Sequence, residues 1–569
     1  MILYFLMKQR KNRKIYIIFD YSIHLYYLCT IFDAFDITSL SILNVFVLAC
    51  MHFIFFREMI NLKRFLPLIL TIFVSPTYAQ LTYKVEMQNT TGTGNHNPLW
   101  LNANKYGLSS LDTRNGYVRG AVMKSIQGDS LRKWAVGYCA DIVAPYNFTS
   151  NFVIQQAYLD VRWHKAMLTV GSKEQPMEQK NQELSSGSQC FGINSRPIPQ
   201  VRLSLPDFWN IPGTNGFLAF KGYISYGILS DGEWQEHFNS TGSKYQKNVL
   251  YCGRAGYIRL GNEKRHPLEA MLGLEMATTF GGSVYSNGHK YSYSSGLKDY
   301  VSALIPFNGN DDKSLYTAEG NMLGSLLISV SYKFSTWKLR AYTDHYFEDG
   351  SQMYLLDYDA YGSGNDWNKK VGNRFLVYDP KDGMYGIEVT LPKNRFVSSF
   401  VGEYLHTKYQ SGPVYYDHTK DISDHIGGRD DYYNHGTYVG WQHWGQVAGN
   451  PLYLSSIYNE DGSLYIRDNR FVSWHFGING DPVEGLHYRI LMTWQKGWGT
   501  YFVPYSDVKR SYNLLAEVGY TMPERIGHVR TRGWSAKMAF GLDDGMLRGN
   551  NRGFQFTLSK TGILNFKKK

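Results

Sequence analysis

Apolar and polar residues alternate along several segments of this chain. The clearest examples are residues 385–391 (YGIEVTL), 472–477 (VSWHFG) and 554–559 (FQFTLS), where every second side chain is apolar. Successive side chains of a β-strand point to opposite faces, so a period of two predicts strands with one apolar and one polar face. Residues 326–334 and 337–347, with Ser335 and Thr336 between them, predict a hairpin with a short turn.

Composition favours a transmembrane β-barrel over other all-β folds. After Ala79 the chain has no run of 18 apolar residues, which excludes a helical membrane protein. Aromatic residues make up 16% of the chain, as in barrels whose strands end in interfacial rings. A soluble β-sandwich or β-helix would also alternate. We predict an all-β fold, a large antiparallel transmembrane β-barrel, and a use of about 25 to 30 residues per strand gives roughly 16 to 20 strands.

The first 79 residues predict export. Residues 59–64 (MINLKR) are basic, residues 65–74 are a short apolar core, and residues 77–79 (TYA) form a cleavage site, so residues 59–79 read as a signal peptide. Residues 1–58 are interpreted as a misassigned start, with translation beginning at Met59, or as an upstream extension that begins at Met1. Residues 80–569 are predicted to form the barrel in the cell outer membrane.

Residues 175–212 do not read as strands, because they are polar, rich in serine and interrupted by five prolines. In a wide barrel such a segment folds inward as a plug or stays outside as a long loop, and the sequence leaves both open. Cys139, Cys190 and Cys252 remain after Ala79. Their odd number and wide spacing predict no disulfide framework or zinc motif and leave their state open.

Charge and motif patterns exclude several function classes. Residues 80–569 carry 51 basic and 44 acidic side chains, a net charge of +7, which suits an anionic glycan or reflects ordinary loop lysines. No nucleic-acid module is recognisable. Neighbouring carboxylates such as residues 430–431 and 543–544 point to opposite faces of a strand and do not form a glycosidase pair. We therefore predict no enzyme activity, no cofactor and no metal site.

Residues 432–452 (YYNHGTYVGWQHWGQVAGNPL) combine aromatic rings, amides and closely spaced glycines. Sugar rings stack on Trp and Tyr, and sugar hydroxyls pair with Asn, Gln or His, so the segment predicts a polysaccharide-binding site. An aromatic girdle at a barrel rim would have a similar composition. The candidate residues are Tyr432, Tyr433, Asn434, His435, Trp441, Gln442, His443, Trp444 and Asn450.

This segment resembles the signature region of the Wzi family of capsule assembly proteins, in its Bacteroidota form. Residues 342–350 (YTDHYFEDG), 382–388 (DGMYGIE) and 553–562 (GFQFTLSKTG) resemble the same family in the same order. The resemblance implies an outer-membrane barrel of 18 strands that binds capsular or extracellular polysaccharide and helps attach or organise it at the cell surface. Implied partners are capsular polysaccharide, outer-membrane lipid and the capsule export machinery. The alternative function is a porin-like channel or ligand transporter.

Overall fold

Strands dominate the computed structural model, which describes residues 81–126, 133–240, 242–263, 265–305, 321–348, 356–361, 364–366, 369–375, 382–408, 410 and 430–564. The predicted leader and upstream segment, residues 1–79, lie outside the described residues. In chain order the strands of the barrel wall, β1 to β18, are Leu81–Thr93, Arg114–Lys124, Trp134–Tyr146, Val153–Trp163, Ala166–Ser172, Gln200–Asn210, Leu218–Leu229, Val249–Leu260, Leu268–Phe280, Asn321–Lys333, Lys338–Phe347, Gly383–Thr390, Ser399–His406, Phe471–Val483, Leu486–Gly499, Pro504–Thr521, Trp534–Gly545 and Asn551–Leu564.

Each strand pairs antiparallel with its neighbours in sequence, and β1 also pairs with β18 from Leu81 opposite Leu564 to Thr93 opposite Arg552. This last pairing closes the 18-stranded sheet, which confirms the predicted transmembrane β-barrel. Strand β18 is longer than predicted. The alternation was expected to end near Ser559, but the strand continues to Leu564 because β1 offers partners along its whole length.

Small elements lie in the connections. The helices, α1 to α3, are Leu99–Asn102, Trp234–Phe238 and Leu297–Leu304, and 3-10 turns cover Gly364–Asp366 and Ser456–Tyr458. Short strands pair outside the wall at Tyr245–Lys247, Ser283–Ser286, His289–Ser292, Leu356–Tyr361, Lys370–Phe375, Gln442–His443, Gln446–Val447, Arg525–Ile526 and Val529–Arg530. No helix within the described ranges has the length and hydropathy of a membrane span.

The alternation predicted from sequence sorts the two faces of the wall. Phe554 is 43% exposed on the outside, whereas Gln555 beside it is 2% exposed on the inside. Trp474 and His475 differ in the same way, at 44% and 0%. The outer face is therefore apolar and the inner face polar, as a barrel in lipid requires.

The two rims differ in their connections. Short turns, such as residues 164–165 and 484–485, join the strands at the rim that also holds Leu81 and Leu564. Long connections leave from the opposite rim, which we call the long-loop rim; the first rim is the short-turn rim. In outer-membrane barrels the longer loops are extracellular and the shorter turns periplasmic.

Three connections from the long-loop rim fold into the barrel. They are the first loop (residues 94–113), the plug (residues 173–199) and the cap (residues 430–470). Their buried side chains, among them Trp100, Leu184 and Trp441, share one hydrophobic core with inward residues from each strand of β7 to β17. The interior next to the long-loop rim is thus a packed core.

The irregular segment predicted at residues 175–212 ends earlier in the structure. Residues 175–199 lie in the plug, but Gln200–Asn210 forms strand β6. Pro206 fits there because the pairing of β6 with β7 shifts register between Leu205 and Trp209, where a missing amide hydrogen breaks no ladder bond.

Candidate functional site

Buried carboxylates on the wall fix the plug. Glu403 on β13 is 1% exposed and accepts hydrogen bonds from the Ser185 hydroxyl (2.6 Å), the Ser186 hydroxyl (2.6 Å) and the Ser186 amide (2.8 Å). Tyr342 on β11 donates a further bond to it at 2.6 Å. A carboxylate surrounded by four donors is well satisfied inside a protein, so its charge holds the plug against the wall.

Asp344 holds the next part of the plug. Its carboxylate pairs with the Lys180 ammonium at 2.6 Å and accepts the Gln189 amide at 3.0 Å, and both charged side chains are buried. His475 on β14 adds a contact of 2.9 Å between its Nε2 and the carbonyl of Leu184. These contacts come from strands β11 and β14, so the plug is held from several strands of the wall.

Carboxylates fix the first loop and the cap in the same way. Asp543 on β17 accepts the amide of Leu99, at the start of α1, at 3.0 Å. Asp382, just before β12, accepts the hydroxyl of Tyr432 at 3.0 Å, and Glu348 accepts the amide of Tyr433 at 2.7 Å. Buried carboxylates on the wall strands, or next to them in the chain, therefore anchor the segments that fill the interior.

The predicted aromatic residues lie mainly inside this core. Tyr432, Tyr433 and Trp441 are at most 1% exposed. The Trp441 ring stacks on Tyr251 of β8 at 5.7 Å between centroids, and its Nε1 donates to the carbonyl of Cys190 in the plug at 2.9 Å. Direct sugar contact would need exposed rings; these three are buried because they pack against the plug and the wall.

The predicted amides and His443 are also paired within the protein. Asn434 exchanges two hydrogen bonds with the backbone of Ile466, both 2.9 Å long. Gln442 donates to the carbonyl of Leu464 at 2.7 Å, and Asn450 donates to the carbonyl of Gly187 at 3.1 Å. His443 lies with its two ring nitrogens 2.9 and 2.8 Å from the carbonyls of Arg196 and Ser230.

Trp444 and His435 are the two predicted residues that reach the surface, each half-buried. The Arg196 guanidinium lies 4.1 Å from the centre of the Trp444 ring, and the ring borders Gly232. His435 Nδ1 accepts the amides of Thr437 and Tyr438 at 3.2 and 3.1 Å. The structure thus brings all nine candidates into or beside the cap, with two of them at its outer edge.

The sequence prediction missed Trp234 and Phe238 of α2, whose half-buried rings stack with 4.7 Å between their centroids. Trp234 packs on Gly445, where an added Cβ would lie 2.2 Å from the indole. Gly445 has φ of 73°, so this turn of the cap needs glycine both for its backbone and for the indole. We call Trp234, Phe238, Trp444 and Arg196 the rim cluster.

Burial sets the electrostatics of the cap and its surroundings. It lowers the pKa of Arg196 to about 10 and, together with the nearby Lys244, lowers the pKa of His435 to about 4. Burial also raises the pKa of Asp468 in the cap to about 7. Arg196 still carries its charge at neutral pH, and its side-chain nitrogens donate to the hydroxyls of Ser150 and Thr149 at 3.0 and 2.7 Å.

No group of three or more His, Cys, Asp or Glu side chains in the described part of the chain is arranged to hold a metal ion. Cys139, Cys190 and Cys252 are buried free thiols. The side chains of the rim cluster offer ring stacking and one cation.

No family model matches the chain, and no curated protein matches it. Among solved structures, it is similar to Wzi of Escherichia coli, an outer-membrane protein involved in group 1 capsule assembly and a carbohydrate-binding β-barrel, with 11% identity over 85% of each chain and a TM-score of 0.48. It is also similar to OprD of Pseudomonas aeruginosa, with 10% identity, 86% of this chain and 96% of that chain covered, and a TM-score of 0.40. It is similar as well to OccK2 of Pseudomonas aeruginosa, with 10% identity, 86% of this chain and 98% of that chain covered, and a TM-score of 0.43. The barrel fold of this chain rests on its own strand pairing, the closed 18-stranded antiparallel sheet.

Proposed function

We propose that this protein is a non-enzymatic outer-membrane barrel that binds capsular or extracellular polysaccharide at its long-loop rim and helps attach or organise it at the cell surface. The observation that carries the proposal is a pair of half-exposed indoles, Trp234 and Trp444, set on a packed cap at the rim where long loops leave the barrel. The function implied by the sequence resemblance agrees with it.

The chemistry of the rim cluster suits a glycan. A sugar ring presents C–H faces that pack on indole, and Trp234 and Trp444 offer two such surfaces on neighbouring turns. Arg196 is itself buried, at 6% exposed; its guanidinium lies against Trp444 and donates to two neutral hydroxyls, so its positive charge beside the ring favours an acidic sugar on Trp444. Sugar contact is therefore assigned to Trp234 and Trp444.

The buried members of the predicted site have a supporting role in this proposal. Trp441 and Tyr433 contact the plug through the carbonyls of Cys190 and Gln189. A rigid cap keeps the exposed rings in place before a ligand arrives, which lowers the entropy that binding must overcome. In this proposal the plug and the cap hold the exposed rings of the rim cluster in position.

The test is binding of refolded residues 80–569 to purified capsular polysaccharide of the source cell and to an unrelated polysaccharide, with sugar products assayed in the same samples. Trp444→Ala and Trp234→Ala are expected to weaken binding by roughly 5- to 10-fold each, since a ring contact contributes about 1 to 1.5 kcal/mol. Trp209→Ala is the matched control, because Trp209 is 41% exposed but lies near the short-turn rim.

Unchanged affinity in both rim variants would contradict this site, and loss of binding in the control alone would move it to the other rim. Polysaccharide cleavage would contradict a purely binding role. Heat-dependent migration on gels reports whether each variant is folded, since folded barrels resist unfolding in detergent.

A porin-like channel is the second candidate, and the inner wall nearer the short-turn rim favours it. Ion pairs face the interior there, including Arg489 with Glu517 at 3.1 Å and Lys537 with the same carboxylate at 3.3 Å. A charged, wet wall is typical of a pore. Conductance in a planar bilayer without polysaccharide binding would favour the channel, whereas selective binding without conductance favours the proposed function.

A further inference from the structure

A row of five aromatic rings crosses the outer face of strands β12 to β16. Neighbours in the row are direct cross-strand pairs, and their order is Tyr385, Tyr404, Trp474, Trp494 and Tyr512. Three of these rings, on β12, β14 and β16, are 39%, 44% and 49% exposed. Aromatic residues gather where a membrane meets water, so the row marks the outer boundary of the hydrocarbon layer.

Apolar side chains lie on the membrane side of this row. Phe476, Met492 and Leu514 are cross-strand neighbours, each two residues from a ring of the row in the direction of the short-turn rim. Phe476 is 38% and Met492 50% exposed on the outside of the barrel. This strip is suited to acyl chains.

Basic side chains lie on the other side of the row, toward the long-loop rim. Lys496 and Arg510 are cross-strand partners, each two residues beyond a ring of the row, or about 7 Å along the strand. Lys408 lies just beyond the end of β13, and Arg470 lies just before β14. Each is two residues from an outward-facing position, His406 or Val472, and so belongs to the same face. We call these four residues the basic band.

Contacts with indoles and with the backbone keep the basic band near the rings. The Lys496 ammonium lies 4.8 Å from the Trp494 ring centre, and the Lys408 ammonium lies 4.0 Å from that of Trp498. Arg470 Nε donates to the carbonyl of Lys408 at 3.3 Å. Within the described ranges, the ion pairs near the band, such as that of His406 with Asp382, involve none of its four residues. The band ends at β17, where Asp544 lies opposite Tyr512.

We propose that strands β13 to β16 bind a phosphorylated lipid of the outer leaflet, with its phosphate on the basic band and its acyl chains on the apolar strip. Along β15 and β16 the order cation, ring, apolar side chain at successive outward positions matches the order phosphate, interfacial sugar or glycerol, acyl chain in such a lipid. On β13 and β14 the cations lie four residues from the ring. Lys and Arg form strong charge-assisted hydrogen bonds with phosphate oxygens. The site faces the membrane and is separate from the rim cluster above the core.

The experiment measures lipid retained by the full barrel, residues 80–569, in a neutral detergent by native mass spectrometry. The probes are diphosphorylated lipid A and the same lipid without its phosphates. Lys496→Gln/Arg510→Gln is expected to lower retention of the phosphorylated probe about tenfold or more, because each basic residue at a membrane surface contributes to anionic lipid binding. Lys408→Gln/Arg470→Gln is expected to lower it less, as these residues lie at the ends of the band.

Lys165→Gln is the matched control. Lys165 also lies over an indole, 5.7 Å from the Trp209 ring centre, but at the short-turn rim, and its substitution should leave retention unchanged. Equal retention of the two probes, or no loss in either double variant while the barrel stays folded, would overturn the proposal. Displacement of the lipid by millimolar inorganic phosphate alone would also overturn it, because the site would then recognise free phosphate.

Discussion

Asp344→Asn should release the plug while the barrel wall stays folded. Asp344 and Lys180 are 0% and 1% exposed and their charges lie 2.6 Å apart. The asparagine oxygen can still accept the Gln189 amide, which is 3.0 Å away in the native protein, but it cannot neutralise Lys180. Removing one partner of a buried ion pair costs about 3 to 5 kcal/mol, and here the cost falls on the plug because Lys180 belongs to it.

Cys190 provides the assay, because it lies in the plug and is fully buried. In a Cys139→Ser/Cys252→Ser background it is the single thiol of residues 80–569, so maleimide labelling at fixed pH reports the fraction of molecules with an open plug. Since about 1.4 kcal/mol corresponds to a factor of ten, Asp344→Asn should speed labelling by roughly 10²- to 4 × 10³-fold.

Two controls separate charge from general damage. Glu517→Gln removes a wall carboxylate that pairs with Arg489 of the wall, and it should leave labelling of Cys190 near the parent rate. Adding Lys180→Met to Asp344→Asn removes the unpaired charge and should restore slow labelling. Labelling of the single variant at the parent rate, or no recovery in the double variant, would refute the role given to this ion pair.

Three further substitutions test the cap. Trp441→Ala should lower the free energy of unfolding by about 3 to 5 kcal/mol in urea, because a 1% exposed indole and its hydrogen bond to Cys190 are lost; a variant as stable as the parent would contradict the burial. Burial raises the pKa of Asp468 from 3.8 to about 7, so its stabilising contribution is full below pH 3.8 and is lost as the pH rises through 7. Asp468→Asn should remove that trend from hydrogen exchange of cap peptides, and an unchanged trend would rule it out. Burial and Lys244 lower the pKa of His435 from 6.5 to about 4, so its contribution is present above pH 6.5 and lost as the pH falls through 4; His435→Gln should abolish that loss, and a profile identical to the parent's would refute it.

The wall could be predicted from sequence because its signal is local. Residues such as Phe554 and Gln555 differ in exposure as their alternation predicts, at 43% and 2%. Strand ends were less accurate, since the extension of β18 to Leu564 and the inclusion of Pro206 in β6 depend on what the neighbouring strands offer. Pairing partners far along the chain decide these limits.

The sequence could predict that the candidate residues lie together, but it could not predict which of their side chains are exposed. Trp441 and Trp444 are three residues apart in a similar composition, yet one stacks on Tyr251 and the other reaches the surface. Nothing local distinguishes them, because burial depends on where the plug and β8 meet the cap. Trp234 and Arg196 were missed for the same reason, as each joins the rim cluster from a different connection.

Polysaccharide binding at the long-loop rim is tested most directly by hydrogen exchange of refolded residues 80–569, measured with and without the source cell's purified capsular polysaccharide. Binding at the long-loop rim should slow exchange in peptides covering residues 232–238 and 443–446, which hold the rim cluster's indoles, and leave the short-turn rim unchanged. No protection at the rim, or protection confined to inner wall strands near the short-turn rim, would contradict it and favour a channel.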